Sequence, residues 1–223
     1  MIEVIPSMPV QSFTELQTKL GIVRGLVKTA QIDICDGMFV TNRTWPMNPS
    51  DDAQFQRIVK GDEGLPYWED FNFEVDLMLH NAEKVLKDWI HVGIVRALIH
   101  IETKHDFSAC RALASDKIEL GAAISLGTPI ERLDEYIPYV DVVQIMGIAK
   151  IGIQGQPFDS RVIDAIKEVK KRYPDVTIEV DGAVNADTAP QMVEAGATRL
   201  APGSYVLRSE NPKEAVKALE SLG

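Results

Sequence analysis

Two hydrophobic rhythms alternate along the chain. Short runs, continuously apolar or alternating with period two, lie at Glu3–Pro6, Ala30–Cys35, Asn72–Met78, Val95–Glu102, Ile118–Ser125, Asp141–Met146, Thr177–Val180 and Thr198–Ala201, and predict eight strands. Each is followed by a stretch with helical spacing. The clearest is Arg161–Arg172, which repeats Val162, Ile163, Ile166 and Val169 on one face before Pro174 stops it. Ser12-Phe-Thr-Glu15 reads as a capping box for the first helix, and Thr128-Pro129 opens the fifth. Asn185 caps the seventh, and Asn211-Pro212 opens the last. No linker, low-complexity segment or strong repeat interrupts residues 1–223. The pattern predicts one (β/α)₈ barrel domain of the TIM type. An open doubly wound sheet would need a Gly-rich dinucleotide turn after the first strand, and none is present.

Barrel chemistry sits at the C-terminal ends of the strands. Gln31-Ile-Asp-Ile-Cys-Asp-Gly37 places Asp33 inside an apolar strand and delivers Asp36 into a turn. Phe73-Glu-Val-Asp-Leu-Met78 carries Asp76 in the same way, and Thr177-Ile-Glu-Val-Asp-Gly182 ends on Asp181. A carboxylate in such a strand is costly to bury without a partner or a task. Three of them from three strands predict one site at the barrel mouth. Two places suit a phosphate: the glycine-bearing loop Gly147–Phe158, and the pair Gly182-Ala183 with Gly203-Ser204 after strands seven and eight.

Of 223 residues, 45% are hydrophobic, enough for one sizeable core, and the formal net charge is −10. With no Lys/Arg run, nucleic acid is not an expected partner. Acidity does not exclude an anionic substrate, because backbone amides bind phosphate without a cationic side chain. Cys35 and Cys110 have no motif spacing and read as reduced thiols of a cytoplasmic protein. No apolar run approaches the roughly 18 residues of a membrane span, and the acidic start does not read as a signal peptide.

Taken together, these motifs resemble the ribulose-phosphate 3-epimerase family over nearly the whole chain. Pro6-Ser7-Met8 resembles its opening motif, and Ile32–Thr44 its strand-two signature. Val75-Asp-Leu-Met78 and Ile99-His-Ile-Glu102 resemble its strand-three and strand-four motifs. Met146–Phe158 resembles its mobile lid, with Gly152, Gly155, Gln156 and Phe158 in step after one inserted residue, and Glu179-Val-Asp-Gly182, Ala195-Gly-Ala197 and Gly203-Ser204 complete the set. The resemblance implies interconversion of ribulose 5-phosphate and xylulose 5-phosphate through an enediolate. Asp33 and Asp181 would alternate as base and acid. Ser7 would hydrogen-bond the substrate, Met78 and Met146 would floor the site, and the lid (Gly152, Gly155, Gln156) with Gly182, Ala183, Gly203 and Ser204 would hold the phosphate. It also implies a homo-oligomer.

The chain departs from the family at the metal. The family binds a divalent ion with two His and two Asp; here those His positions are Gln31 and Asp76, while Asp33 and Asp181 remain. The lid has Lys150 and Ile151 in place of an Asn-Pro or Glu-Pro, and the Gly-Gly after the strand-seven Asp is Gly182-Ala183. A set of Gln31, Asp33, Asp76 and Asp181 offers oxygen donors, which suit magnesium, manganese or another hard ion over zinc. A divalent ion among three carboxylates carries net −1 and is a poorer electrophile. Without an ion, repulsion raises at least one carboxyl pKa, and a protonated Asp76 would donate to the enediolate. Metal-free chemistry, a hard-metal site and lost activity all stay open. So do epimerisation of another ketose phosphate and a non-catalytic sugar-phosphate-binding barrel. Decarboxylation lacks support, because that branch carries an Asp-x-Lys pair where this chain has Asp33-Ile-Cys35.

Several residues carry plainer readings. Asp36 before Gly37 suits a turn as well as a catalyst. His80 and His91 read as surface or cap residues and His100 as a paired core histidine, with His80 nearest in sequence to stand in as a ligand beside Asp76. Lys150 reads as solvated, and Trp45-Pro46 as either a wall of the site or loop packing.

Overall fold

The computed structural model describes residues 1–223. Nine strands form one parallel sheet: β1 (Glu3–Val4), β2 (Ser7–Pro9), β3 (Thr29–Cys35), β4 (Asn72–Met78), β5 (Arg96–His100), β6 (Glu119–Ile124), β7 (Val142–Met146), β8 (Thr177–Asp181) and β9 (Arg199–Ala201). The predicted first strand, Glu3–Pro6, is divided at Pro6, and its two halves serve different neighbours. β1 pairs with β9 and β2 with β3. Ile5 donates to Leu200 O and Gln31 donates to Pro6 O, so residues 3–9 act as one stave bonded on both sides and the barrel has no free edge.

The helices are α1 (Phe13–Val23), α2 (Asp52–Val59), α3 (Ala82–Val92), α4 (Phe107–Ala114), α5 (Arg161–Arg172), α6 (Ala189–Ala195), α7 (Ser204–Leu207) and α8 (Pro212–Glu220). Arg161–Arg172 is helical as predicted and buries Val162, Ile166 and Val169. Ser12 Oγ accepts from Glu15 N, but the Glu15 carboxylate reaches Gln11 N instead of the cap residue, so the box is shifted by one position. Asn211 caps α8. Asn185 holds the turn ahead of α6 through Asp187 N and Thr188 N, and Thr188 is the cap residue. The fifth expected α-helix is absent. Thr128-Pro129 leads into two 3₁₀ turns, Ile130–Glu135 and Ile137–Tyr139. Ile130 and Leu133 bury at three-residue spacing, and Pro138 cannot donate the bond an α-helix needs.

Strand alternation sorts the residues to two faces. The outward face (Ile32, Val75, Leu77, Ile99, Val143, Val180) joins the helices in the main hydrophobic core. The inward face is mostly polar. Parallel register aligns Gln31 with Glu74, Asp33 with Asp76, Glu74 with Arg96, and Gln144 with Glu179. Apolar residues interrupt this filling in two places, a small plug of Leu98, Ala123 and Val142 and a second group around Cys35 and Met78.

At the foot of the barrel Arg96 contacts Glu74, lies 2.5 Å from Glu119 and 3.9 Å from Glu179. Arg199 bridges Glu3 and Glu119, each at 2.9 Å. Glu179 is fully buried with both carboxyl oxygens unpaired, and burial, then the charge of Glu74, pushes its pKa well above the ordinary 4.5. A raised carboxyl stabilises the fold fully below its unfolded value and loses that contribution as pH rises through the folded value. Glu179→Gln is therefore expected to raise the melting temperature near pH 8 and to flatten its decline from pH 5 to 8. Thermal melts across that range check this.

Candidate active site

β3, β4 and β8 bring Asp33, Asp76 and Asp181 together, with ligand oxygens all within 4.8 Å of one another. The backbone at Asp33 is fixed by Thr44, whose hydroxyl donates to Asp33 O at 2.7 Å and accepts from Cys35 N at 2.8 Å. Gln31 Nε2 donates to Asp33 Oδ1 at 2.9 Å and Asp181 Oδ2 at 3.3 Å, and Ser7 Oγ donates to Asp181 Oδ1 at 3.1 Å. Asp33 and Asp181 keep 5% and 7% exposure and line a cavity of about 540 Å³; Asp76, at 0%, does not line it. Two of the acids thus face the cavity and the third does not.

Asp76 has a charged partner. His100 Nε2 lies 3.2 Å from Asp76 Oδ1, its Nδ1 lies 3.6 Å from Glu102, and Gln144 Nε2 donates to Asp76 Oδ2 at 3.2 Å. Burial opposes charge on His100, but Asp76 and Glu102 outweigh it and raise its pKa to about 10, so an imidazolium faces Asp76 at neutral pH. His100 is therefore a paired core histidine, as its sequence context suggests. The neighbour of Asp76 is this residue and not His80, which accepts from Lys104 N.

Burial, then Asp181 and Asp76, raises Asp33 well above its ordinary 3.8. Burial, then Asp76, raises Asp181 to about 7, with Ser7 and Gln31 opposing. The carboxyls of raised pKa that face the cavity are Asp33 and Asp181; Asp76 does not line it and faces His100.

No cationic side chain lines the cavity side of the cluster, and its donors suit a hard divalent cation. Three carboxylates are joined by Gln31 Oε1, a buried oxygen with no partner. His100 stands between two carboxylates, Asp76 at 3.2 Å and Glu102 at 3.6 Å, so its one positive charge is shared and does not cancel the extra charge of Asp76.

Ser7, Met78, Met146, Gly152, Gly155, Gln156, Gly182, Ala183, Gly203 and Ser204 all line the same cavity. No Lys, Arg or His does. Lys150 is exposed outside it. Asp36 forms an Asx turn, accepting from Met38 N at 2.8 Å. Trp45 is fully buried against Phe13, Phe55 and Trp89, so it packs the core and does not wall the site. Sequence reasoning missed Gln154 and Asn185, cavity residues on loops without periodicity.

The loop after β7 passes so close to the one after β8 that a Cβ at Gly147 would lie 2.2 Å from Gly182 O, so only glycine fits. Ala183 is held at φ 54°, where a Cβ is disfavoured. Ala183→Gly is expected to stabilise the protein by about 0.5–1 kcal/mol, read as a higher urea midpoint at unchanged slope.

The sequence model of the Ribulose-phosphate 3 epimerase family matches residues 3–207. A ribulose-phosphate 3-epimerase of Bacillus subtilis (strain 168) is 29% identical over 98% of both chains. One from Candida glabrata is 25% identical over 97% of this chain and 90% of its own. Among solved structures, the 3-hexulose-6-phosphate synthase of Salmonella typhimurium superposes with a TM-score of 0.72 at 11% identity, covering 99% of this chain and 98% of that one, which shows a shared fold. The relatives are epimerases by name, and the match runs from β1 through α7, across every strand that supplies an acid to the cluster. The chain belongs to the ribulose-phosphate 3 epimerase family.

Proposed function

We propose that the protein inverts C3 of a phosphorylated ketose, interconverting ribulose 5-phosphate and xylulose 5-phosphate. The observation that carries this reading is the pair Asp33 and Asp181, both open to one cavity and both raised in pKa. A C3 proton beside a ketone is acidic enough for a carboxylate held close to it. One Asp takes the proton from one face while the other, protonated, returns one to the opposite face, and the roles exchange in the reverse direction. An acid with pKa about 7 serves both roles near neutral pH. Ser7 and Gln31 orient the Asp181 carboxylate, while Met78 and Met146 give the planar intermediate an apolar floor. With no cationic side chain in the cavity, the phosphate is received by backbone amides and neutral side chains of the loops after β7, β8 and β9.

A hard divalent cation, held by Asp33, Asp76, Asp181 and the Gln31 oxygen, would stabilise negative charge on the substrate oxygens when bound. Manganese(II) titration followed by electron paramagnetic resonance is expected to show a bound ion that Asp76→Asn loses. An unaltered free-ion signal with the wild-type chain would remove the metal from this reading and leave the two-Asp chemistry to be tested alone.

A further inference from the structure

We infer that Gln154 is a positioning residue that latches the loop after β7 onto the barrel and, through Ser7, sets where the Asp181 carboxylate sits. Gln154 Nε2 donates to Ser7 O at 2.9 Å, and the Ser7 hydroxyl donates to Asp181 Oδ1 at 3.1 Å. The same amide lies flat on Gly203: a Cβ there would fall 2.3 Å from Gln154 Nε2 and 3.4 Å from Ser7 O. Three segments distant in sequence, the loop after β7, β2 and the turn after β9, therefore meet at one side chain. On the other rim Asn42 Nδ2 donates to Gly152 O at 2.9 Å. These are the two side-chain hydrogen bonds that tie residues 148–158 to the barrel. They differ in consequence. Asn42 only holds the loop down, whereas Gln154 also bonds the residue that orients Asp181. The loop thus closes the cavity and fixes an acid–base group in one movement.

The kinetic half of this inference rests on the proposed epimerase reading; the latch does not. The full chain is tested in two assays. Limited trypsin cleavage after the exposed Lys150 reports loop opening, normalised to Lys117, which is exposed in the turn before β6 at the opposite end of the barrel. Turnover of ribulose 5-phosphate gives kcat and KM. Gln154→Ala is expected to speed Lys150 cleavage about fivefold, the worth of one hydrogen bond, and to lower kcat about tenfold by misplacing Asp181. Gln154→Glu, which sets an acceptor against the Ser7 carbonyl, is expected to follow it. Asn42→Ala is expected to speed cleavage similarly while acting mainly on KM. Wild-type cleavage in Gln154→Ala overturns the latch, and faster cleavage with unchanged kcat overturns the coupling to Asp181. If the wild-type chain turns over no ketose phosphate, the epimerase reading fails, and Lys150 cleavage alone decides the latch.

Discussion

Asp181→Asn is expected to lower epimerisation of ribulose 5-phosphate by about 10³-fold, within the usual worth of a positioned general acid–base group. Asp33→Asn is expected to do the same. The two variants should not be equivalent in what they retain. If each carboxylate serves one face of C3, the chain without Asp181 still exchanges the C3 proton of the epimer presented to Asp33, and the chain without Asp33 exchanges that of the other. NMR in D₂O, starting from each epimer separately, reads both losses. The asparagine variants keep the shape of the site; in Asp181→Asn the amide oxygen still accepts from Gln31 while the new N–H donates to the Ser7 hydroxyl, so the readout concerns the proton and not the packing. Loss of both exchanges in both variants would point to one base working alone with the second Asp only supporting it.

The second large effect lies at the opposite end of the barrel. Arg96→Met is expected to destabilise the fold by about 3–5 kcal/mol, because it leaves the buried Glu74 carboxylate without its cation. Arg96 is 5% exposed and contacts Glu74 and Glu119 directly, and Glu74 is 0% exposed with one oxygen already unpaired. Glu74→Gln alone should cost less, since an amide needs no counter-charge, and should recover part of the loss when combined with Arg96→Met. Urea unfolding of the four chains of this cycle measures the coupling. Additive losses would show that the two side chains do not depend on each other.

The alternation of strands and helices was legible because the outward strand face is continuously apolar and packs under amphipathic helices, as at Ile32, Val75 and Val180. The inward face was harder to read. Glu74, Arg96 and Glu179 alternate with apolar neighbours just as solvent-facing residues of a half-buried strand do, yet they point into the barrel. Asp33 and Asp181 stood out because each carboxylate interrupts an apolar run beside a glycine turn. The Asp76–His100 pair could not be seen that way. It depends on the register of β4 against β5, a tertiary property, and the histidine nearest in sequence, His80, bonds elsewhere. The 3₁₀ turns after β6 had a visible cause in Pro138, which the Thr128-Pro129 start signal outweighed. Gln154 left no signal, since a single amide in a glycine-rich loop has no period to betray it.

Solvent deuterium incorporation during conversion of ribulose 5-phosphate by the wild-type chain bears most directly on the two-Asp inversion. The proposed chemistry predicts xylulose 5-phosphate carrying solvent deuterium at C3, formed at a rate that collapses in Asp33→Asn and Asp181→Asn. Product without C3 deuterium, or no inversion at C3 in the wild-type chain with or without added magnesium or manganese, would contradict it.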